Sequence, residues 1–360
     1  MKAWIEVSRS AIAHNVGVFK SLAAGVPLMA AVKANAYGHG IVEFSRAALE
    51  CGVSWLGVIN AYEARKLRDA KISAPILTFF EPEPEEIEWL IENNVSITCF
   101  TERTLELVAA RGSRSAPAHV HIKVNTGMNR QGSPPERAID LAKRAARTAS
   151  IELEGVYSHL ATAEYPNDSF AETQVRRFEE VRANLSDLDI PYFHLANTGG
   201  TLFYPQARYD MVRVGIGLYG YLPNPAVPAA VTLKPALSLK CKLSAVNDLE
   251  PGDGVSYGLH WKAAAKTRVG VCPVGYGDGL FRSLGGKLEI FAAGRGFPSR
   301  GIMCMDQFIV DLGDSPLGVG DEVEIIGAHV TAQDIAVRAG TIAYEVLARL
   351  AERLPRVYVD

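Results

Sequence analysis

Along the first two-thirds of the chain, apolar and polar positions alternate between two textures. Short runs of branched apolar residues at 27–32, 55–59, 75–79, 96–100, 120–125, 151–158, 192–197 and 211–216 read as strands. Between them, stretches such as 40–51, 61–70, 84–93, 136–148 and 170–185 carry the amphipathic period of helices. About eight strand–helix units in about 200 residues predict an α/β fold, an N-terminal (β/α)8 barrel of the TIM type. The helix after the last strand is poorly defined, because 221–235 is rich in proline and reads as a linker. Beyond it, runs at 237–246, 268–274, 288–291, 308–312 and 322–326 are broken by Gly, Asp and Pro, with helical pieces at 331–339 and 344–353. The expected organisation is therefore a barrel over 1–234 and a smaller, mostly β domain over 235–360.

Composition narrows the function. Of 360 residues, 48% are hydrophobic and 21% charged, enough for a large core. A formal charge of −3 argues against nucleic acid or an anionic membrane surface as partner. No apolar run approaches the ~20 residues of a membrane span, and the N-terminus lacks a basic, apolar leader pattern. Five scattered cysteines without a Cys-x-x-Cys spacing suit a reducing compartment, so a cytoplasmic location is expected.

The chemically capable residues gather where such a barrel puts its active site, after the strands. Lys33 ends the first predicted strand and is followed by Ala34-Asn35-Ala36-Tyr37-Gly38-His39-Gly40. Partial desolvation there lowers an amine's pKa, as a Schiff-base lysine requires, although a lysine snorkelling from a strand end has the same spacing. Asn125 to Arg130, His159, and Asn197 with Thr198 follow later strands, and Arg213 to Gly217 lie on and after the last one. Gly215-Ile216-Gly217-Leu218-Tyr219-Gly220 matches a dinucleotide fingerprint, but it precedes a proline-rich stretch instead of opening a helix in an early βαβ unit. Its glycines still allow backbone N–H groups to approach a phosphate. His119 and His121, with Lys123, His159, His194 and Asp210, superficially resemble a barrel metallohydrolase set. Both lie near the start of their strand, which favours a structural role, and no metal is expected. Tyr257 sits in a glycine-flanked turn, and Asp306 after Met305 suits a turn cap.

Taken together, Ala31–Gly40 as written above, Lys123 to Arg130, His159-Leu160-Ala161, Asn197-Thr198, the 213–220 and 254–258 strings, Cys304-Met305-Asp306-Gln307 and the stretch holding Tyr344 resemble the bacterial alanine racemases. The likeness runs in order through nearly the whole chain. It implies a fold-type III enzyme using pyridoxal 5′-phosphate (PLP), a homodimer with shared active sites, and alanine as substrate. Lys33 would carry the cofactor. Tyr37, Asn197, Thr198, Gly215, Ile216 and Tyr344 would surround its phosphate, and Arg213 would face its pyridine nitrogen. Arg130 would lie beside the substrate carboxylate, and Lys123 matches a lysine that is carbamylated in many members. Tyr257, Met305 and Asp306 would reach the partner's barrel. Removing the α-proton from either face of a planar centre needs two bases, and Lys33 and Tyr257 supply them. A chain Tyr257–His159–Arg213 would place positive charge near the phenol and favour its ionised form. Departures are Thr198 for a serine, Asn125 for an aspartate and Ile302 where an arginine is frequent. The alternatives are a racemase of serine or another small amino acid, and a non-catalytic PLP-binding protein.

Overall fold

The computed structural model describes residues 1–360, which divide into two compact units. One comprises Ile12–Ala36 and Ile41–Lys234; the other comprises Met1–Ala11, Tyr37–Gly40 and Pro235–Asp360.

The chain opens with β1 (Ala3–Ser8), which belongs to the second unit, and helix Arg9–Ala23. Eight strands then build the first unit: β2 (Leu28–Ala31), β3 (Trp55–Val58), β4 (Ile76–Thr78), β5 (Val95–Cys99), β6 (Ala118–Lys123), β7 (Ile151–Tyr157), β8 (Tyr192–His194) and β9 (Val212–Val214). They form one parallel sheet in the order β8-β7-β6-β5-β4-β3-β2-β9. Its ends meet through Asp210 N–H to the Phe193 carbonyl at 3.0 Å and Arg213 N–H to the Ala196 carbonyl at 2.9 Å, giving a nearly closed TIM-like barrel. Every residue of β2, β3, β4, β5 and β9 is buried, as strands covered on both faces require. Met29, Trp55, Leu77, Tyr157 and Met211 fill the interior.

The poorly defined final helix has a structural substitute in the N-terminal helix. Asn15 on it is fully buried and donates to the carbonyls of Leu218 at 3.1 Å and Lys234 at 2.8 Å, tying down both ends of the proline-rich stretch.

In the second unit, β10 (Leu237–Lys242) and β11 (Ala245–Leu249) come from a single predicted run. A two-stranded ribbon, β12 (Gly254–Val255) with β13 (Trp261–Lys262), comes next. The remaining strands are β14 (Thr267–Cys272), β15 (Glu289–Ala292), β16 (Arg295–Arg300), β17 (Phe308–Gly313), β18 (Glu322–Ile326) and β19 (Arg356–Val359). The nine-stranded sheet runs β11-β14-β17-β16-β15-β18-β10-β1-β19, so the first strand is clamped between two from the far end of the chain. The segment Tyr37–Gly40 also joins this unit. Gly38 has φ +80°, its carbonyl accepts from Arg356 Nε at 3.1 Å, and a Cβ there would lie 2.2 Å from the Leu347 carbonyl oxygen, so only glycine fits.

Candidate active site

Lys33 is the first residue after the barrel strand β2 and its cover residue Val32, and it leads into a rare conformation. Residues 34 to 37 have φ of 54°, 54°, 51° and 50°, one turn of left-handed helix made without glycine. L-residues resist that geometry by about 1–2 kcal/mol each, so neighbouring groups must hold it. Glu63 accepts from Ala34 N–H at 2.7 Å with one oxygen and from Ile59 N–H at 2.8 Å with the other. Asn35 Oδ1 accepts from Ile41 N–H at 2.9 Å, and Ala36 N–H donates to the Val32 carbonyl at 2.8 Å. The Lys33 amine is half-buried. Burial and then the charge of Arg130 lower its pKa, with Glu63 opposing.

At the end of β6, the loop carrying Arg130 folds around Asn125. Its Oδ1 accepts from the N–H groups of Gly127 at 3.1 Å and Asn129 at 3.0 Å, and its Nδ2 donates to Asn129 Oδ1 at 2.9 Å. Lys123 Nζ donates to Gln131 Oε1 at 2.9 Å and lies 5.4 Å from the Tyr157 ring centre. Burial, then the charges of Arg213, Arg130 and Lys33, push this amine down to about 7. Lys123, Asn125, Met128, Arg130, Gln131 and His159 line an open pocket here.

Arg213, on β9, is 4% exposed, and all its partners are carbonyls or ring nitrogens. Nη2 donates to the carbonyls of Ser158 at 2.6 Å and Leu195 at 3.2 Å and to His159 Nδ1 at 3.2 Å. Nη1 donates to the His194 carbonyl at 2.9 Å and His194 Nδ1 at 3.1 Å. Burial lowers the guanidinium to about 10, opposed by Tyr157, so it stays charged at neutral pH. A guanidinium only donates, which makes His159 Nδ1 an acceptor and the ring neutral. Burial and the surrounding cations hold His159 well below the ordinary imidazole range.

Beside β9, Asn197 caps the short helix Thr198–Phe203 by accepting from Gly200 N–H at 2.9 Å. Thr198 Oγ1 accepts from Gly215 N–H at 3.1 Å. The fingerprint-like glycines form a 3-10 turn, Ile216–Tyr219, whose first N–H groups have no acceptor within the turn. At Gly217 a Cβ would come within 2.3 Å of Phe19 and 2.9 Å of Thr198 Cγ2. Hydroxyl and backbone donors thus converge as a phosphate group requires, and the residues present fit PLP.

The remaining predicted residues lie in the second unit. The rings of Tyr37 and Tyr344 stand 6.1 Å apart. Tyr257 is 72% exposed and Met305 54%. The Tyr257 turn is held by Ser256 Oγ donating to the Ile302 carbonyl at 2.7 Å, with Ser256 at φ 63°. Asp306 is exposed and accepts from Arg353 Nη2 at 2.7 Å, while Arg353 Nε donates to Asp278 at 2.7 Å. Sequence reasoning missed Glu63 and Gln131. The spacing Asn60-x-x-Glu63 at a helix start was a visible sign of the first, because Asn60 caps that helix.

Residues 7–223 match the N-terminal domain of alanine racemase, and residues 236–358 match its C-terminal domain. The chain belongs to the alanine racemase family. Alanine racemase of Symbiobacterium thermophilum is 38% identical over 363 residues, which cover 99% of this chain and 96% of the relative. That of a Nostoc species is 38% identical over 374 residues, covering 99% and 96%. The crystal structure of alanine racemase from a D-cycloserine-producing Streptomyces lavendulae superposes with a TM-score of 0.93 at 34% identity, covering 100% of this chain and 97% of that one. The chain is accordingly an amino-acid racemase, and its reaction is the racemisation of alanine.

Proposed function

We propose that the enzyme interconverts L- and D-alanine with PLP in the barrel, moving the α-proton with Lys33 on one face and Tyr257 of a partner subunit on the other. PLP, when bound, supplies an aldehyde that captures the amino group and a ring that accepts electron density. The observation carrying this reading is a lysine of depressed pKa at a barrel rim that also presents a charged arginine held by neutral acceptors. Lys33 would be joined to the cofactor. Tyr37, Tyr344, Asn197, Thr198 and the backbone at Gly215 and Ile216 would bind its phosphate. Arg213, which can only donate, would face the ring nitrogen and leave it unprotonated, favouring proton return over transamination.

Lys33 Nζ would act as one base, and burial together with the charge of Arg130 lowers its pKa from the ordinary lysine value. On the other face, His159 accepts from Arg213 through Nδ1, so its Nε2–H is the proton available to a phenolate oxygen of Tyr257. Arg130 would fix the substrate carboxylate, and Met305 and Asp306 would line the same site from the partner. Exposure of Tyr257 and Met305 suits residues that complete a neighbour's site in a homodimer. The neutral Lys123 amine is open to addition of carbon dioxide, and the resulting carbamate would draw Arg130 to it. The domain assignment, 1–234 for cofactor binding and 235–360 for completing the partner's site, belongs to the same proposal. No helix is long and apolar enough to cross a membrane. With five free cysteines, a cytoplasmic enzyme making D-alanine for cell-wall precursors is the natural setting.

A chiral assay with alanine and serine in deuterated water tests this. Both alanine enantiomers should gain α-deuterium in a PLP-dependent way that Lys33→Ala abolishes; PLP retention without exchange would contradict it.

A further inference from the structure

We propose that Glu154, His121 and His194 form a hydrogen-bond chain of fixed direction that orients Arg213, which makes Glu154 and His121 positioning residues. The chain is continuous. Arg213 Nη1 meets His194 Nδ1 at 3.1 Å, His194 Nε2 meets His121 Nδ1 at 2.9 Å, and His121 Nε2 meets Glu154 Oε2 at 3.1 Å. Both imidazoles are fully buried.

Its two ends dictate its direction. A guanidinium only donates, so His194 Nδ1 must accept and its proton must sit on Nε2. That proton points at His121 Nδ1, which must accept in turn and carry its own proton on Nε2. A carboxylate only accepts, and it closes the chain. Glu154 is suited to that end. Its Oε2 is the atom that His121 Nε2 meets. Ser96 Oγ donates to the same oxygen at 2.5 Å. Reversing the chain would place His194 Nδ1–H against the guanidinium N–H, two donors face to face. Protonating His121 would do the same, by filling its Nδ1.

The surroundings are shaped to hold these rings. A Cβ at residue 155 would lie 2.3 Å from His121 Nδ1, so the glycine on β7 leaves the imidazole its place. His194 stacks on Tyr157 with centroids 4.9 Å apart, and His121 meets the edge of Trp55 at 5.7 Å. Tyr157 is itself fixed by a 2.8 Å hydrogen bond between its hydroxyl and Thr98. Arg213 is thus held by two neutral imidazoles, His194 and His159, with no carboxylate against it, and the balancing charge lies two rings away.

The consequence for the reaction rests on the assignment of Arg213 to the cofactor's ring nitrogen, whereas the direction of the chain does not. Holoenzyme labelled with [15N]histidine, examined by long-range 1H–15N correlation, should show His121 and His194 both neutral and protonated on Nε2. A protonated ring, or a proton on Nδ1 of either, overturns the proposal. Glu154→Leu lets the chain reverse and should lower kcat about tenfold by displacing Arg213, with KM within about twofold. It should also shift the visible absorbance of lysine-bound cofactor, and Glu154→Gln, which keeps an acceptor, should restore most of both. A Glu154→Leu enzyme with wild-type kcat and spectrum also overturns it. The spectrum of the unmodified enzyme needs no variant, so a misfolded Glu154→Leu leaves it decisive.

Discussion

Single side chains in this barrel are set by charge and burial acting together. Lys123 is the clearest case, since its amine falls from 10.5 to about 7 in the fold. Below pH 7 the lysine is charged in folded and unfolded chains alike, and the fold carries the whole cost of burying that charge. Between pH 7 and 10.5 the unfolded chain holds a proton that the folded one has released, so stability rises with pH across that window. Lys123→Met should therefore raise the thermal midpoint of cofactor-free protein at pH 6, in buffer without carbon dioxide, and the advantage should fade by pH 10. A pH-independent difference would contradict this. The positions of Lys33, Lys123, Arg130, His159 and Arg213 were legible in the sequence because they lie on or just after barrel strands. Of the side chains that meet Arg213, His159 was expected from the family resemblance, whereas His194 was not. His121 read as a structural histidine from its place near the strand's start, and nothing in the spacing of His121, Glu154 and His194 shows that three adjacent strands bring them into line.

At the scale of elements, the left-handed turn after Lys33 is the feature that sequence conceals most completely. Ala-Asn-Ala-Tyr contains no glycine, and alanine favours ordinary helix. The turn exists because Glu63 holds it from outside and the Asn35 side chain ties it to Ile41 N–H. Glu63→Ala should loosen it and lower kcat about tenfold or more through misplacement of Lys33, while circular dichroism shows the barrel intact. Full activity would remove Glu63 from the account. Ala34 is exposed, so Ala34→Gly relieves the strained φ without opening a cavity and should stabilise the protein by about 0.5–1 kcal/mol in denaturant melts. The barrel strands were legible because burial on both faces writes continuous apolar runs. Strands β1 and β19 were not, because the partners that make them strands lie far away along the chain.

For the whole molecule, the proposed sharing of sites between subunits would make each one an incomplete catalyst. On that proposal its barrel holds one base and the phenol it displays serves a neighbour, so activity would depend on assembly. Dilution below the dimer's dissociation constant should abolish turnover while PLP stays bound to the barrel, as gel filtration with absorbance detection would show. The sequence indicated this arrangement through family resemblance alone, because no periodicity or composition distinguishes a tyrosine that serves its own chain from one that serves another. The sharing of sites is tested most directly by co-expressing Lys33→Ala and Tyr257→Phe chains under different tags and purifying the mixed dimer. One of its two sites then has both bases, so the dimer should show about half the wild-type rate from two nearly inactive parents. A mixed dimer no more active than its parents would contradict the account.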